Sequence, residues 1–165
     1  MISVRRFEAV EWRAYRDLRL RALTESPDAF GSKLEYEQGR TDAEWADRLA
    51  RSADSEESLA LLAASDGRPV GLAWGRRSAD SVTTVHVYQM WVDPAARGSG
   101  AGRMLLDAIV DWARGAGADR VALDVTRGND AAERLYARAG FTPTGDPQPL
   151  RPGSDLRSQR MELRL

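Results

Sequence analysis

A single stretch, residues 82–112, constrains the fold of this chain more than any other part of it. Its first part, Val82 to Val92, is apolar, β-branched and aromatic, and it stops at an Asp-Pro pair. Glycines follow at every second position, Gly98, Gly100 and Gly102, and a helical pattern begins at once. Backbone amides at a helix N-terminus carry about half a positive charge, and glycine lets an anion approach them closely. The stretch therefore predicts a strand, a phosphate-binding loop and a helix in direct succession.

The spacing of the glycines separates three kinds of phosphate loop. A mononucleotide P-loop requires Gly-Lys followed by Ser or Thr, and no such sequence is present. A dinucleotide loop requires Gly-x-Gly-x-x-Gly, and Arg103 stands where the third glycine should be. Only Arg-x-x-Gly-x-Gly, residues 97–102, is complete. This hexapeptide resembles the acyl-CoA pyrophosphate loop of the GCN5-related N-acetyltransferases, the GNAT superfamily, although a glycine turn that merely caps a helix would share part of it.

A second motif occurs further along the chain. A strand-like run, Leu123 to Thr126, leads into Asn129 and the helical sequence Ala131 to Phe141. These residues resemble the second cofactor segment of the same superfamily, Asn-x-x-Ala-x-x-Leu-Tyr-x-x-x-Gly-Phe, at every specified position. Because the two motifs are independent and correctly separated, the chain is identified by resemblance as a member of the GNAT superfamily.

The resemblance and the hydrophobic periodicity together predict the fold. The expected element order is β-α-α-β-β-β-α-β-α-β-β, in a single domain covering residues 1–165. The resemblance implies an α/β GNAT fold: a mixed, mostly antiparallel central sheet of about six to seven strands, flanked by about four helices, with a splay between the two central strands. Local sequence predicts a helix over 11–25, an irregular link over 26–40, a hairpin turn at Asp66-Gly67 and a Pro/Gly-rich loop over 145–154. Asp130 and Glu133 predict a capping box for the last helix.

The resemblance also implies acetyl-CoA as the cosubstrate and assigns residues to each part of it. Backbone amides of the loop would hold the pyrophosphate, with Arg97 and Arg103 as charge partners. The pantetheine arm would lie along the end of the preceding strand, and Asn129 would bond its amides. The complete expected set is Met90, Trp91, Val92, Arg97, Gly98, Ser99, Gly100, Ala101, Gly102, Arg103, Asn129 and Tyr136.

Acyl transfer to an amine requires an acid for the departing thiolate and a base for the amine. The resemblance places the hydroxyl of Tyr136 near the CoA sulfur, and a tyrosine with an ordinary pKa of about 10 stays protonated at neutral pH. Asp124 is the expected base, because a related branch, the ribosomal-protein N-terminal acetyltransferases, carries Glu at the matching place. Asp is one methylene shorter, which favours contact through a water. The rival bases are His86, Glu35, Glu37 and water alone. The two glutamates are expected to be solvated rather than catalytic.

The expected function is acetyl-CoA-dependent N-acetylation of a primary amine by direct attack in a ternary complex. A small-molecule amine is the preferred acceptor, and a protein N-terminus is the alternative. A non-catalytic acyl-CoA-binding sensor is an alternative from another class, although binding alone requires neither an acid nor a base. Aromatic residues are expected to wall the acceptor pocket, namely Phe30, Tyr36 and Trp91, with Trp45 beside them.

Composition narrows the remaining choices. The net charge of −1 supplies no field for nucleic acid or an anionic membrane, and no apolar run is long enough to span a bilayer. The absence of cysteine excludes a cysteinyl acyl-enzyme and fits a reducing cytoplasm, and a single His leads us to expect no metal. A homodimer is compatible with the alternating C-terminal strand. Lys33 is the only lysine among 24 basic residues, which indicates the coding bias of a GC-rich bacterium.

Overall fold

The structure, a computed structural model, describes residues 1–165. The chain forms seven strands and five α-helices. The strands are β1 (Ile2–Arg6), β2 (Ser58–Ser65), β3 (Arg68–Arg77), β4 (Thr84–Val92), β5 (Arg120–Thr126), β6 (Thr142–Pro149) and β7 (Arg157–Arg164). The helices are α1 (Trp12–Glu25), α2 (Leu34–Gln38), α3 (Asp42–Ala53), α4 (Ala101–Gly115) and α5 (Asp130–Arg138).

The strands form one mixed sheet in the order β1-β2-β3-β4-β5-β7-β6. Every neighbouring pair is antiparallel except β4 and β5, which run parallel. The helix α4 provides the crossover that a parallel pair needs. The predicted fold class is therefore confirmed. The turn between β2 and β3 is also as predicted, since Asp66 and Gly67 both have positive φ, as a two-residue hairpin turn requires.

Two segments differ from the sequence prediction. The link over residues 26–40 contains a short helix, α2, so the helices number five. The predicted loop over 145–154 is partly strand, because β6 continues to Pro149 after a break in its pairing between Thr144 and Gln148. β6 is an edge strand, where proline is tolerated because one side of its backbone needs no partner. The Pro and Gly content of this segment predicted a loop and gave no sign of the strand.

The two parallel strands separate soon after they meet. Thr84 to His86 of β4 pair with Arg120 to Ala122 of β5, and no pairing continues beyond them. Gln89 then takes a positive φ of 52°, and the β3–β4 pairing shifts its register at the same place. A bulge of this kind bends and twists a strand, which turns the end of β4 away from β5. The predicted splay is confirmed, and it leaves main-chain groups of both strands without a sheet partner.

Both faces of the sheet are covered, which explains why β2 is buried along almost its whole length. Leu59 and Leu61 belong to a core cluster that includes α4, whereas Ala60 and Leu62 belong to a second cluster that includes α1 and α3. Trp45 is 1% exposed within the second cluster, so it packs in the core rather than walling an acceptor pocket.

None of the helices is long and apolar enough to cross a membrane. The strands β1 and β6 form the sheet edges, and the homodimer stays a prediction.

Candidate active site

The glycine loop joins β4 to α4. Asp93 accepts a hydrogen bond from the backbone amide of Ala95 (2.9 Å) and so holds the turn Pro94–Ala96. Gly98 and Gly100 have φ values of 79° and 90°, in the left-handed region that side chains disfavour. Gly100 is the N-cap of α4 and has no side chain to cap the helix, but the Ser99 hydroxyl accepts a hydrogen bond from the Ala101 amide (3.4 Å). The amides of Gly102 and Arg103, which follow in the first turn of α4, remain available to an anion.

The two arginines of the loop are already engaged within the protein. Arg97 lies 2.8 Å from a carboxylate oxygen of Glu25 and donates from Nε to the Val92 carbonyl (3.0 Å). Partial burial pushes the pKa of Glu25 upward, but hydrogen bonds from Ser26, Trp91 and Arg97 outweigh it and lower the pKa to about 2. Arg103 pairs with Asp107 (2.8 Å). Both arginines lie beside the loop, and each is paired with a carboxylate that offsets its positive charge.

A cavity of about 280 Å³ lies beside the separated strands, and we call it the small cavity. It brings the two sequence motifs together, because residues of β4, the glycine loop and α5 share its wall. The predicted cofactor residues that line it are Met90, Trp91, Val92, Arg97, Gly102, Asn129 and Tyr136. The other predicted cofactor residues lie in the loop and the first turn of α4, outside this wall; they are Gly98, Ser99, Gly100, Ala101 and Arg103.

Tyr136 is a titratable group in the wall of the small cavity that can act as an acid. Its side chain projects from α5 and is 8% exposed. Burial raises the pKa of the Tyr136 hydroxyl to about 12. Since a phenol with that pKa stays protonated throughout the neutral range, the hydroxyl can donate a proton to a strong base.

Asn129 holds the start of α5. Its side-chain oxygen accepts a hydrogen bond from the backbone amide of Ala132 (3.3 Å), so Asn129 is the N-cap of the helix. The capping box predicted for Asp130 and Glu133 is therefore wrong by one residue, because the helix begins at Asp130 itself. The cap uses only the oxygen of the amide, and the amide nitrogen remains free to donate at the wall of the small cavity.

A second cavity of about 950 Å³, the large cavity, adjoins the first. Ala29 lines both of them, and consecutive parts of β4 line one and then the other: residues 87–89 the large cavity and residues 90–92 the small one. The large cavity extends across the strands β5, β7 and β6. The two spaces therefore meet along β4, as expected of a site with one compartment for each of two substrates.

Asp124 of β5 lines the large cavity and is ion-paired across the sheet. Its carboxylate accepts hydrogen bonds from Arg160 Nε (2.9 Å) and Nη2 (3.4 Å). His86 stacks on Tyr88 at 6.5 Å between ring centroids and does not line the large cavity. Burial, and then the charge of Arg160, lower the pKa of the His86 imidazole and so favour its uncharged form.

The other predicted bases and the predicted pocket aromatics differ in burial and in whether they line a cavity. Glu37 is 3% exposed and ion-paired with Arg40, whereas Glu35 is exposed; neither lines the two cavities. The expectation that Glu37 is solvated was therefore wrong. Among the predicted acceptor-pocket aromatics, Phe30 lines the large cavity and Trp91 the small one.

Tyr36 is 68% exposed and lines neither cavity. Sequence reasoning also missed Arg19 and Gln89, which both line the large cavity. Arg19 follows Tyr15 and Leu18 on the apolar face of α1. A charged residue on an apolar helix face is the pattern that could have drawn attention to it. No group of three or more acidic or histidine side chains is arranged to hold a metal ion.

A mixed sheet with separated parallel strands, a glycine loop at a helix N-terminus and two adjoining cavities defines a protein of the GNAT fold class. The profile of the acetyltransferase (GNAT) family matches residues 12–141, and the chain belongs to this family. A mycothiol acetyltransferase of Beutenbergia cavernae is 35% identical over 133 residues, 81% of this chain and 42% of the relative. The chain thus spans less than half the length of that relative. The N-alpha-acetyltransferase RimI of Mycobacterium tuberculosis is 44% identical over 59 residues, 36% of this chain and 35% of the relative.

Solved structures share the whole fold. A GNAT-family acetyltransferase from Streptococcus pneumoniae superposes with a TM-score of 0.85 at 20% identity, covering 100% of both chains. The acetyltransferase yncA from Salmonella typhimurium, solved with acetyl-CoA, gives a TM-score of 0.79 at 24% identity, covering 99% of this chain and 94% of the other. At these identities the likeness concerns the fold.

Proposed function

We propose that this protein is a cytoplasmic acetyl-CoA-dependent N-acetyltransferase that moves the acetyl group directly to a primary amine. The observation that carries the proposal is the pair of cavities that adjoin at Ala29 and along β4. One holds a protonated tyrosine in its wall and the other a carboxylate, Tyr136 and Asp124. Direct transfer needs both substrates side by side, and a chain without cysteine has no thiol to carry the acetyl group between them.

The residues of the small cavity and the loop fit CoA. The free amides at the start of α4 suit its pyrophosphate, and left-handed Gly98 and Gly100 bring the backbone close to that group. The edge of β4 that faces β5 has no strand partner beyond His86, and its main chain can bond the amides of the pantetheine arm as a neighbouring strand would. Asn129 adds a side-chain donor at the same wall.

The chemistry then divides between the two cavities. The neutral amine attacks the thioester carbonyl from the large cavity, a C–N bond forms and the C–S bond breaks. Tyr136 gives its proton to the departing thiolate. Asp124, through a water, receives the proton that the amine loses, and the ion pair with Arg160 holds the carboxylate in place.

The acceptor that we propose is a small-molecule amine. The mycothiol acetyltransferase relatives favour this choice, while the match to RimI keeps a protein N-terminus as the second candidate. A pure acyl-CoA sensor is disfavoured, because binding alone gives no reason for a buried tyrosine in one cavity and a carboxylate in the other. Release of free CoA thiol from acetyl-CoA across a panel of amines and peptides tests the proposal. Tight CoA binding without turnover on any amine or peptide would instead support the sensor.

The two roles proposed for Asn129 can be separated by a pair of variants. Asn129→Asp keeps an oxygen at the N-cap but loses the amide donor, so we expect weaker CoA binding with stability changed by less than about 0.5 kcal/mol. Asn129→Ala loses both, and we expect it to destabilise the fold by about 1 kcal/mol as well. Calorimetric CoA titration and urea unfolding measure the two effects. Equal CoA affinity in the native protein and Asn129→Asp would limit Asn129 to capping.

The choice of base can be tested in the same way. We expect Asp124→Asn to lower kcat/KM about 10²-fold, because a general base contributes roughly that much. His86→Asn should change kcat/KM by less than about threefold, since His86 lies outside the wall of the large cavity. The pH profile decides between them: if His86 were the base, its variant would lose the acid limb of kcat/KM, which lies below pH 6.5 because the pKa of His86 is lowered.

A further inference from the structure

Arg19 is a buried cation whose charge is not matched within the protein. It projects from α1, is 3% exposed and lines the large cavity. Two of its guanidinium nitrogens, Nε and Nη1, are enclosed and make no hydrogen bond. Enclosing a charge without a partner is costly, and arginine cannot avoid the cost by losing its proton. Its stacking on the Phe30 ring, 4.8 Å from the centroid, holds the guanidinium in place but supplies no counter-charge.

The neighbouring carboxylate is already shared. Glu37 is ion-paired with Arg40 (2.6 Å) and with Arg48 (3.4 Å). Burial is the main cause that lowers the pKa of Arg19; Tyr15 and Glu37 oppose it, and the charges of Arg48 and Arg40 add to it. The cluster therefore holds the cations Arg19, Arg40 and Arg48 around the buried carboxylate of Glu37, while the exposed Glu44 acts on Arg40 alone. An anion that enters the large cavity would relieve this excess of positive charge.

The acidic residues on the wall of the large cavity do not supply that anion. Asp124 is paired with Arg160 at 2.9 Å, and Glu162 lies 3.7 Å from Arg120. Asp146 is exposed on the edge strand β6. Water in the cavity could satisfy hydrogen bonds of the guanidinium, but it cannot neutralise the charge.

A second donor is positioned at the same wall. Tyr15 donates from its hydroxyl to Oε1 of Gln89 (2.8 Å), and Arg48 donates to that hydroxyl (3.4 Å). The contact fixes the amide of Gln89, at the left-handed bulge of β4, and leaves its Nε2 hydrogens as donors. Arg19 and Gln89 both line the large cavity, where a planar carboxylate could accept from each.

We infer that the acceptor amine carries a carboxylate, which Arg19 and Gln89 bind, so that the substrate class is the small amino carboxylic acids. The inference rests on the proposed function for its amine and its acetyl transfer. The carboxylate site itself rests on the enclosed, unpartnered guanidinium. Arg19 is thus a specificity residue: it fixes the acid end of the acceptor and leaves the amine free to reach the acyl group.

The first experiment compares alanine and phenylalanine with alaninamide and phenylalaninamide in acetyl transfer. Because an amino amide is less basic than its acid, the decisive quantity is the change between the native protein and Arg19→Met. We expect kcat/KM for the acids to fall about ten- to a hundredfold, as loss of a charge-assisted bond implies, and that for alaninamide and phenylalaninamide to stay within about threefold. CoA affinity should not change. Arg13→Met, which replaces an exposed arginine of the same helix, is the matched control.

Stability provides a readout that a merely structural arginine would not give. Met fills a similar volume without charge, so we expect Arg19→Met to raise Tm by roughly 2–4 °C while it lowers acid turnover. A lower Tm with an unchanged acid-to-amide ratio would overturn the inference. Arg19→Lys keeps the charge without the planar fork, and we expect partial retention of the preference for acids. It preserves the test if the Met variant does not fold.

Binding separates this inference from the proposed function. Calorimetric titration of N-acetylalanine and N-acetylphenylalanine in the presence of CoA requires no turnover. Acids that bind through Arg19 without any acetyl transfer would support the carboxylate site and count against the enzyme. Acetyl transfer whose kcat/KM depends neither on a carboxylate in the acceptor nor on Arg19 would support the enzyme and overturn the carboxylate site. An Arg19-dependent response to peptides with acidic side chains, but not to free amino acids, would overturn the assignment to small acids.

Discussion

Replacing Tyr136 with Phe is expected to lower kcat about 10²- to 10⁴-fold, the range that a general acid contributes, while CoA affinity stays nearly unchanged. The substitution removes one oxygen from a side chain that is 8% exposed at the wall of the small cavity. Phe keeps the ring and its packing beside Phe141, so the loss should concern proton donation alone. Because burial raises the pKa of Tyr136 to about 12, the native enzyme should show no alkaline decline from this residue below about pH 11.

Single-turnover kinetics and a CoA titration on the same preparation measure the two quantities. Tyr36→Phe is the matched control, because Tyr36 is 68% exposed and lines neither cavity. It should leave kcat within about twofold. Should Tyr136→Phe weaken CoA binding as much as it lowers kcat, the hydroxyl would be structural and a water would have to protonate the thiolate.

Gly100→Arg is expected to abolish measurable CoA binding and leave the chain folded. The backbone at Gly100 has a φ of 90°, which costs an L-residue about 1–2 kcal/mol, a strain that a folded domain can tolerate. The space beside the position is open, so the new side chain meets no protein atom within 4 Å at its Cβ. It would instead occupy the approach to the N-terminus of α4, where the pyrophosphate is proposed to lie.

The matched control is Gly117→Arg at the other end of the same helix. Gly117 has a φ of 77° and equally open surroundings, so the substitution introduces similar strain. It lies roughly 25 Å from Gly100 along the helix axis, well away from the loop. Calorimetric CoA titration and thermal unfolding of both variants give the answer. Normal CoA binding by Gly100→Arg would contradict the assignment of the loop, and equal losses in both variants would point to strain alone.

Local sequence predicted those parts of the site that local interactions build. The glycine loop, the start of α4, the Asp66-Gly67 turn and the position of Tyr136 on α5 each depend on residues close together in the chain. The prediction failed where a neighbour in space decided the outcome. Trp45 was expected beside the acceptor pocket because it is aromatic. It packs against Tyr15 in the core, with 5.5 Å between ring centroids. Glu37 reads as a solvated helix residue, yet Arg40 and Arg48 enclose it.

The sequence by itself therefore determined the family, the order of most elements and the residues beside the CoA loop, because short-range periodicity and two motifs contain that information. Only the tertiary structure decided the acceptor side. Arg19 lies on α1 and Gln89 on β4, far apart in the chain, and they line one cavity because α1 packs across the bulge where β4 leaves β5. The charge balance around Arg19 is likewise a sum over residues from separate elements. Local sequence cannot predict this charge balance, because burial and the pairing of charges arise only when distant segments pack together.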